Sequence, residues 1–214
     1  LPVEFAWDIL LKKLYGRDIM NKELSEMTLE ELWQLFPIIL KEHNEKYKDW
    51  YAAEKEYLLN CIDAKYIKRI NHIGSTSVKG LIAKPTVDIL LEISDDCDPE
   101  ALENTLANNG WLLMWSSSGP ELDQTYNKGY TKNGFSEKIY HLHVRHLGDW
   151  DELYFRDYLM EHPNVAAEYA KLKLALFQKF EHNRDAYTDA KTGFVQHYSK
   201  IAKEAYRNRY KPEG

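Results

Sequence analysis

Apolar residues recur along this chain first at helical spacing, then in alternation, then at helical spacing again. The opening stretch LPVEFAWDILLKKLYGRD carries the helical spacing and predicts an extra helix within residues 1–27, to which no function attaches. Thr28-Leu29-Glu30-Glu31 has the Thr-x-x-Glu form of a capping box, in which each side chain bonds the other's backbone N–H. Leu29, Leu32, Trp33 and Phe36 then share one helical face. A second helix is predicted over 44–62, with Tyr47, Trp50, Tyr57, Leu58 and Cys61 as its apolar members.

The middle of the chain reads as a mixed sheet, with strands near 66–73, 86–93, 111–117, 124–131 and 138–145. Asp98-Pro99 supplies a helix N-cap followed by proline in the first turn, and Gly110 the matching stop. From Trp150 onward the spacing is helical. Val165, Tyr169, Leu172, Leu176 and Phe180 form one stripe, and another helix is expected from near Thr188 to about Asn208. The plan is an α/β core over about 28–148 with a helical C-terminal part, 149–214, packed on it.

Composition narrows the class. At 214 residues with 44% hydrophobic and 29% charged content, the chain can bury a substantial core. No apolar run approaches the length of a membrane helix, so no membrane partner is expected. Two cysteines, Cys61 and Cys97, make neither a disulfide framework nor a zinc knuckle, and a cytoplasmic protein is the default expectation. A net charge of −6 speaks against broad nucleic-acid binding, which depends on neutralising many phosphates. A local basic pocket for one nucleotide is compatible with it.

The candidate chemistry sits in four places. Gly74-Ser75-Thr76-Ser77 follows a strand with small and hydroxyl residues, which lets backbone N–H groups cradle an anion; a plain turn is the alternative. Next comes TVDILLEI, where alternation puts Thr86, Asp88, Leu90 and Glu92 on one face and Val87, Ile89, Leu91 and Ile93 on the other. A carboxylate on a buried strand is costly unless paired or metal-bound. Lys84 as a structural ion-pair partner and Mg²⁺ with substrate phosphates are both open for Asp88. In YHLHVRH, His141 and His143 point to the same face, as suits a metal or a polyphosphate, while His146 falls on the opposite face. Finally, Arg156, Lys173 and Lys191 lie on the C-terminal helices as phosphate donors, provided those helices fold over the Gly-Ser turn.

HIGSTSVKGLIAKPTVDI, HLHV, FRDYLMEHPNVAAEYAKLK and the Tyr187–Lys191 segment, in that order, resemble the GrpB family of the nucleotidyltransferase superfamily over roughly residues 35–205. The resemblance implies a mixed sheet flanked by helices with a helical C-terminal extension. It also implies that Gly74 and Ser75 form the triphosphate turn and Asp88 the first metal carboxylate. The chain departs from the superfamily pattern at position 90, where Leu90 stands in place of the second carboxylate. Glu92 shares the face but lies about 6–7 Å further along, at a strand end expected to face solvent. His141 and His143 are candidates to replace the third carboxylate. Lys79 and Ile82 stand where the family usually has proline and alanine, and Lys79 adds a mobile charge to the loop.

The function implied is binding of a nucleotide or other phosphorylated small molecule with a divalent metal, Mg²⁺ or Mn²⁺, and transfer of a nucleotidyl group to a small acceptor. The alternative is a binding module without catalysis. Relatives of this domain fused to dephospho-CoA kinase imply a place in nucleotide or coenzyme A metabolism. A third reading has Asp88, His141 and His143 holding one metal for phosphoester hydrolysis.

Overall fold

A computed structural model describes residues 22–119 and 121–212. Most of the opening helix predicted from the sequence lies outside that range; of its described part, Leu24–Glu26 forms a single 3-10 turn. The capping box forms as expected. Thr28 Oγ1 accepts from the Glu31 N–H at 3.2 Å, the Glu31 carboxylate accepts from the Thr28 N–H at 2.8 Å, and α1 (Leu29–Leu35) begins there. Helix α2 (Lys46–Cys61) buries Tyr47, Glu54 and Leu58. Tyr57, predicted among its apolar members, is instead exposed, with its hydroxyl on Asn109 at 2.6 Å and its ring against the Lys128 ammonium. An amphipathic tyrosine loses little there, because its polar tip keeps a partner.

The strands are β1 (Ile67–Ile73), β2 (Thr86–Ile93), β3 (Leu112–Ser116), β4 (Asp123–Thr131) and β5 (Gly134–His146), in the order β1-β2-β5-β4-β3. Only β2 and β5 run parallel. A parallel neighbour needs a long crossover, here supplied by α3 (Pro99–Asn108), β3 and β4. Asp98 caps α3 by accepting from the Glu100 N–H, and Gly110, at φ +82, turns the chain out of it.

The two faces of the sheet are covered differently. Val87, Ile89, Leu91 and Ile93 of β2 join Tyr140, Leu142 and Val144 of β5 in the main core beneath α2 and α3. Burying each such aliphatic side chain contributes about 1.5–3 kcal/mol. The other face carries the C-terminal helices α4 (Asp151–Glu161), α5 (Pro163–Phe180) and α6 (Arg184–Tyr206). Helix α4 packs Leu153 on Ile73 and Leu90 at the β1–β2 end. Val165 and Tyr169 of α5 close over Val78 and Leu81 of the loop after β1. Helix α6 starts four residues ahead of the predicted Thr188, because Asn183 caps it through the Ala186 N–H. Among the described residues no helix is long and apolar enough to cross a membrane.

Candidate functional site

β1 ends on the buried Ile73, and the chain then reverses through Gly74 at φ +69 into a 3-10 turn, Ser75–Ser77. Glycine is required here twice over. Its φ is one that L side chains rarely adopt, and a Cβ would lie 2.1 Å from Asp88 Oδ2. Turn and acid are therefore packed against each other by backbone geometry. The Ser77 hydroxyl closes the turn by donating to the Gly74 carbonyl at 2.6 Å. Thr76 is buried, and its hydroxyl donates to the Thr86 carbonyl at 2.9 Å with His72 Nε2 at 3.0 Å. Of the predicted phosphate turn, then, the Thr76 side chain is spent on the scaffold.

Asp88 is a quarter exposed and opens into the cleft. The two residues that follow it on the same face do not. Leu90 is fully buried against Ile73 and Leu153. Glu92, expected to face solvent, is also fully buried. Arg69 reaches it from β1 through Nε at 2.5 Å and a second nitrogen at 2.6 Å, and the Gly148 N–H donates to it at 3.1 Å. That pair locks the β1–β2 end of the sheet to the chain entering α4, which leaves Glu92 with no chemical role in the cleft.

His141 lies beside Asp88 across the parallel pair, with Nδ1 3.1 Å from Oδ1. Its Nε2 is 2.8 Å from the Tyr130 hydroxyl, and Arg184 donates to that same hydroxyl at 3.0 Å. One tautomer satisfies the whole chain: Arg184 donates to Tyr130, Tyr130 to Nε2, and Nδ1–H to Asp88. Burial lowers the His141 pKa against the pull of Asp88 and so favours that neutral ring. Burial also pushes the Asp88 carboxyl up, but the hydrogen bond from His141 and the nearby Lys84 charge outweigh it and hold it below the usual carboxylate range. Both nitrogens of His141 are occupied, so it orients the acid. Among the described residues no three His, Cys, Asp or Glu side chains come together as a metal site.

The cations converge where the helices meet the turn. Lys84, Lys173, Arg184 and Lys191 line one cleft of about 400 Å³ with Gly74, Ser75, Thr76, Asp88, His141 and His143. Among the described residues that line the cleft, Asp88 and Asp185 are the acids that oppose those four positive groups. Burial drives Lys84 down to about 7, helped by Arg184 and Lys191. Lys173 falls to about 7 by burial and by the charges of Lys191 and Lys84, and burial takes Lys191 to about 8. Aromatic faces hold ammonium groups in place of carboxylates: Lys173 lies 4.6 Å from the Tyr169 ring and Lys191 4.5 Å from that of Tyr187. Lys173 also donates to the Ser75 hydroxyl at 3.1 Å and to the Ile82 carbonyl, so a buried ammonium anchors the turn from behind.

Not every predicted donor joins them. Arg156 lies on the face of α4 that meets β1, where it donates to the Asn71 side chain at 3.2 Å, the His72 carbonyl at 3.0 Å and the Tyr210 hydroxyl at 2.9 Å, beside Asp157. It is a clamp between helix, strand and C-terminal tail. Lys79 is exposed and pairs with Glu45 at 3.2 Å, away from the cleft. His146 stands apart near Asp95. Conversely, Arg184, Tyr130, Tyr169 and Tyr187 line or brace the cleft without being predicted as site residues; Tyr169 is expected only in an apolar stripe and Tyr187 only within the segment that carries the resemblance. Arg184, Tyr187, Thr188 and Lys191 follow i, i+3, i+4, i+7 spacing, a helical face readable in advance.

Comparison with known proteins agrees with the fold and gives the family. The family described as GrpB protein matches residues 37–200. Glutamate-rich protein GrpB of Alkalihalophilus pseudofirmus is 34% identical over 161 residues, 74% of this chain and 91% of that protein. A UPF0157 protein of Pseudomonas aeruginosa is 36% identical over 146 residues, 68% of this chain but 59% of that longer relative. The crystal structure of conserved protein GrpB from Enterococcus faecalis superposes with a TM-score of 0.68 at 26% identity, covering 78% of this chain and 99% of that one.

Proposed function

This chain belongs to the GrpB family, and we propose that its cleft binds a nucleotide or another phosphorylated small molecule through the phosphates. The observation that carries this reading is the crowding of Lys84, Lys173, Lys191 and Arg184 around one glycine-serine turn, with two aspartates, Asp88 and Asp185, in the same lining. These cations are taken largely out of water with few acids to match them; burial first, and then their mutual repulsion, lowers the lysine pKa values. A ligand bearing several negative charges relieves that repulsion. The backbone N–H groups of Gly74, Ser75 and Thr76 would take phosphate oxygens and the lysines their charge, while Arg184, whose guanidinium already donates to the Phe36 carbonyl and the Tyr130 hydroxyl, adds positive charge beside them. His141, fixed by Tyr130, keeps Asp88 ionised and aimed at the cleft.

A two-metal centre does not fit these residues. Leu90 occupies the second acidic position and is sealed beneath Leu153, and His141 has no free nitrogen. One divalent ion fits only as a companion of the ligand, held by Asp88 together with phosphate oxygens, where it would neutralise charge. Binding without turnover is thus the reading favoured over nucleotidyl transfer. Calorimetric titration with inorganic triphosphate tests binding. Saturable binding that Lys191→Ala weakens by tenfold or more supports it, and no heat at millimolar ligand would end it. Transfer is tested with radiolabelled nucleoside triphosphates and Mg²⁺ or Mn²⁺; labelled product above an Asp88→Asn control would restore the enzymatic reading.

A further inference from the structure

β3 is a free edge of the sheet, and natural proteins usually blunt such edges with charge or proline. Residues 112–116 contain neither. Leu112, Met114 and Trp115 are each more than half exposed. A bulge lies between Leu113 and Trp115, with Met114 as its extra residue. Because a bulge shifts the alternation by one, Leu112 and Trp115 share a face although three positions separate them.

That face is the floor of the phosphate cleft. Asp88, His141, Asn127 and Leu112 pair across four strands in one row, and Leu90, His143, Thr125 and Trp115 in the next. His141 and His143 line the cleft, so the same sheet face leads from the cations to the edge tryptophan. Helix α4 covers this face through Leu153 on Leu90 and Ile73, and reaches as far as β5 through Glu152, which accepts from Arg145 at 2.8 Å. At the β4–β3 end Thr125 and Asn127 are partly exposed and the β3 side chains more so.

We infer that the strip from His143 to Trp115 holds the base of a nucleoside triphosphate whose phosphates occupy the cleft, which makes the ligand a nucleotide and not a bare polyphosphate. The inference rests on the phosphate reading above. Its occupant is chosen by continuity, reach and chemistry. Three strand steps of about 4.8 Å separate β2 from β3, roughly 14 Å, the reach of an extended nucleoside triphosphate from terminal phosphate to base. Trp115 and His143 offer π faces for stacking. The Asn127 amide and Thr125 hydroxyl, between them, offer donors and acceptors to a sugar or base edge.

Calorimetric titration of the wild type, Trp115→Ala and Trp115→Phe with ATP and with inorganic triphosphate tests the assignment. Expected is ATP binding clearly tighter than triphosphate to the wild type. Trp115→Ala should lose roughly tenfold or more of ATP affinity, as one stacked base is worth, leave triphosphate within about twofold, and Trp115→Phe should retain most of the ATP preference. Equal ATP affinity in the wild type and Trp115→Ala overturns the inference while triphosphate binding keeps the cleft reading intact. Equal weakening of both ligands overturns it too, since that signals a disturbed fold. If triphosphate fails to bind but ATP binds in a Trp115-dependent way, the strip stands and the phosphate reading falls. If neither binds, both fall.

Discussion

Anion binding to the cleft should weaken as the pH rises from about 7 to 9, with protons taken up as the anion binds. Lys84 and Lys173 sit near 7 and Lys191 near 8, burial being the largest cause for each. At pH 9 these groups are mostly neutral in the free protein. An anion favours the ammonium form, so each lysine in contact must regain its proton. Every pH unit above the free pKa then costs about 1.4 kcal/mol, a factor of ten in affinity. One lysine titrating from about 7 therefore gives roughly a hundredfold loss by pH 9. Three mutually repelling lysines titrate as a coupled set and give a steeper total than one. Sulfate is the suitable ligand, since its own charge is constant over this range. Calorimetry at pH 7 and pH 9, in buffers of different ionisation enthalpy, yields both the affinity and the number of protons taken up. Equal affinity at the two pH values with no proton uptake refutes the reasoning. The free protein should show the opposite trend in stability. Its native lysines titrate near 7–8 and unfolded ones near 10.5. Between those values the unfolded chain binds more protons, so stability rises with pH across that window.

Three further outcomes follow from packing. Gly74→Ala should cost about 1–3 kcal/mol for the positive-φ, extended backbone at φ +69 and ψ −176 alone, more from the contact with Asp88 Oδ2 at 2.1 Å; at roughly 2–4 °C per kcal/mol for a chain of this size, an unchanged melting temperature would contradict the described turn. Glu92→Gln leaves the Arg69 guanidinium, a quarter exposed, without its fully buried anion and should cost up to about 3 kcal/mol, read by urea unfolding, with sulfate affinity of the folded fraction unchanged; a loss of affinity in proportion would place Glu92 in the site after all. Leu90→Asp restores the missing carboxylate on paper but buries an uncompensated charge beneath Leu153, so a fall in stability of several kcal/mol is expected, and a stable variant that gains Mn²⁺ binding would show that α4 leaves this position accessible.

What could be read in the chain followed the range of the forces involved. Strand β2 was legible because alternation is a local signal and Asp88 interrupts an apolar run. The caps at Thr28 and Asp98 were legible for the same reason, as each acts within three residues. Lys173 sits two steps of four beyond Val165 along the stripe that α5 buries, so its burial was implicit in the spacing. Glu92 was not legible, because its partner is Arg69, brought opposite only by the antiparallel register of β1 and β2. Arg156 and Lys191 look alike as helical cations. Which of them faces the cleft depends on α4 lying on β1 while α6 crosses the turn, and that is decided by tertiary packing alone.

The division of labour between sheet and helices bears on how the site can work. The sheet contributes the acid, the histidines and the glycine that lets turn and acid touch. Of the four cations, Lys173, Arg184 and Lys191 come from α5 and α6, and only Lys84 from the loop before β2. Neither part alone makes the proposed anion site: the turn without the helices has one lysine facing one aspartate, and the helices without the turn have three cations against Asp185, the lysines resting on tyrosine rings. Packing α5 against Val78 and Leu81 offsets the cost of bringing those charges together, and a bound anion removes part of that cost. Ligand binding must therefore tighten the contact between the C-terminal helices and the loop after β1. Slower amide exchange in α5 and α6 with sulfate present, and no change in β3 or β4, is the corresponding signature.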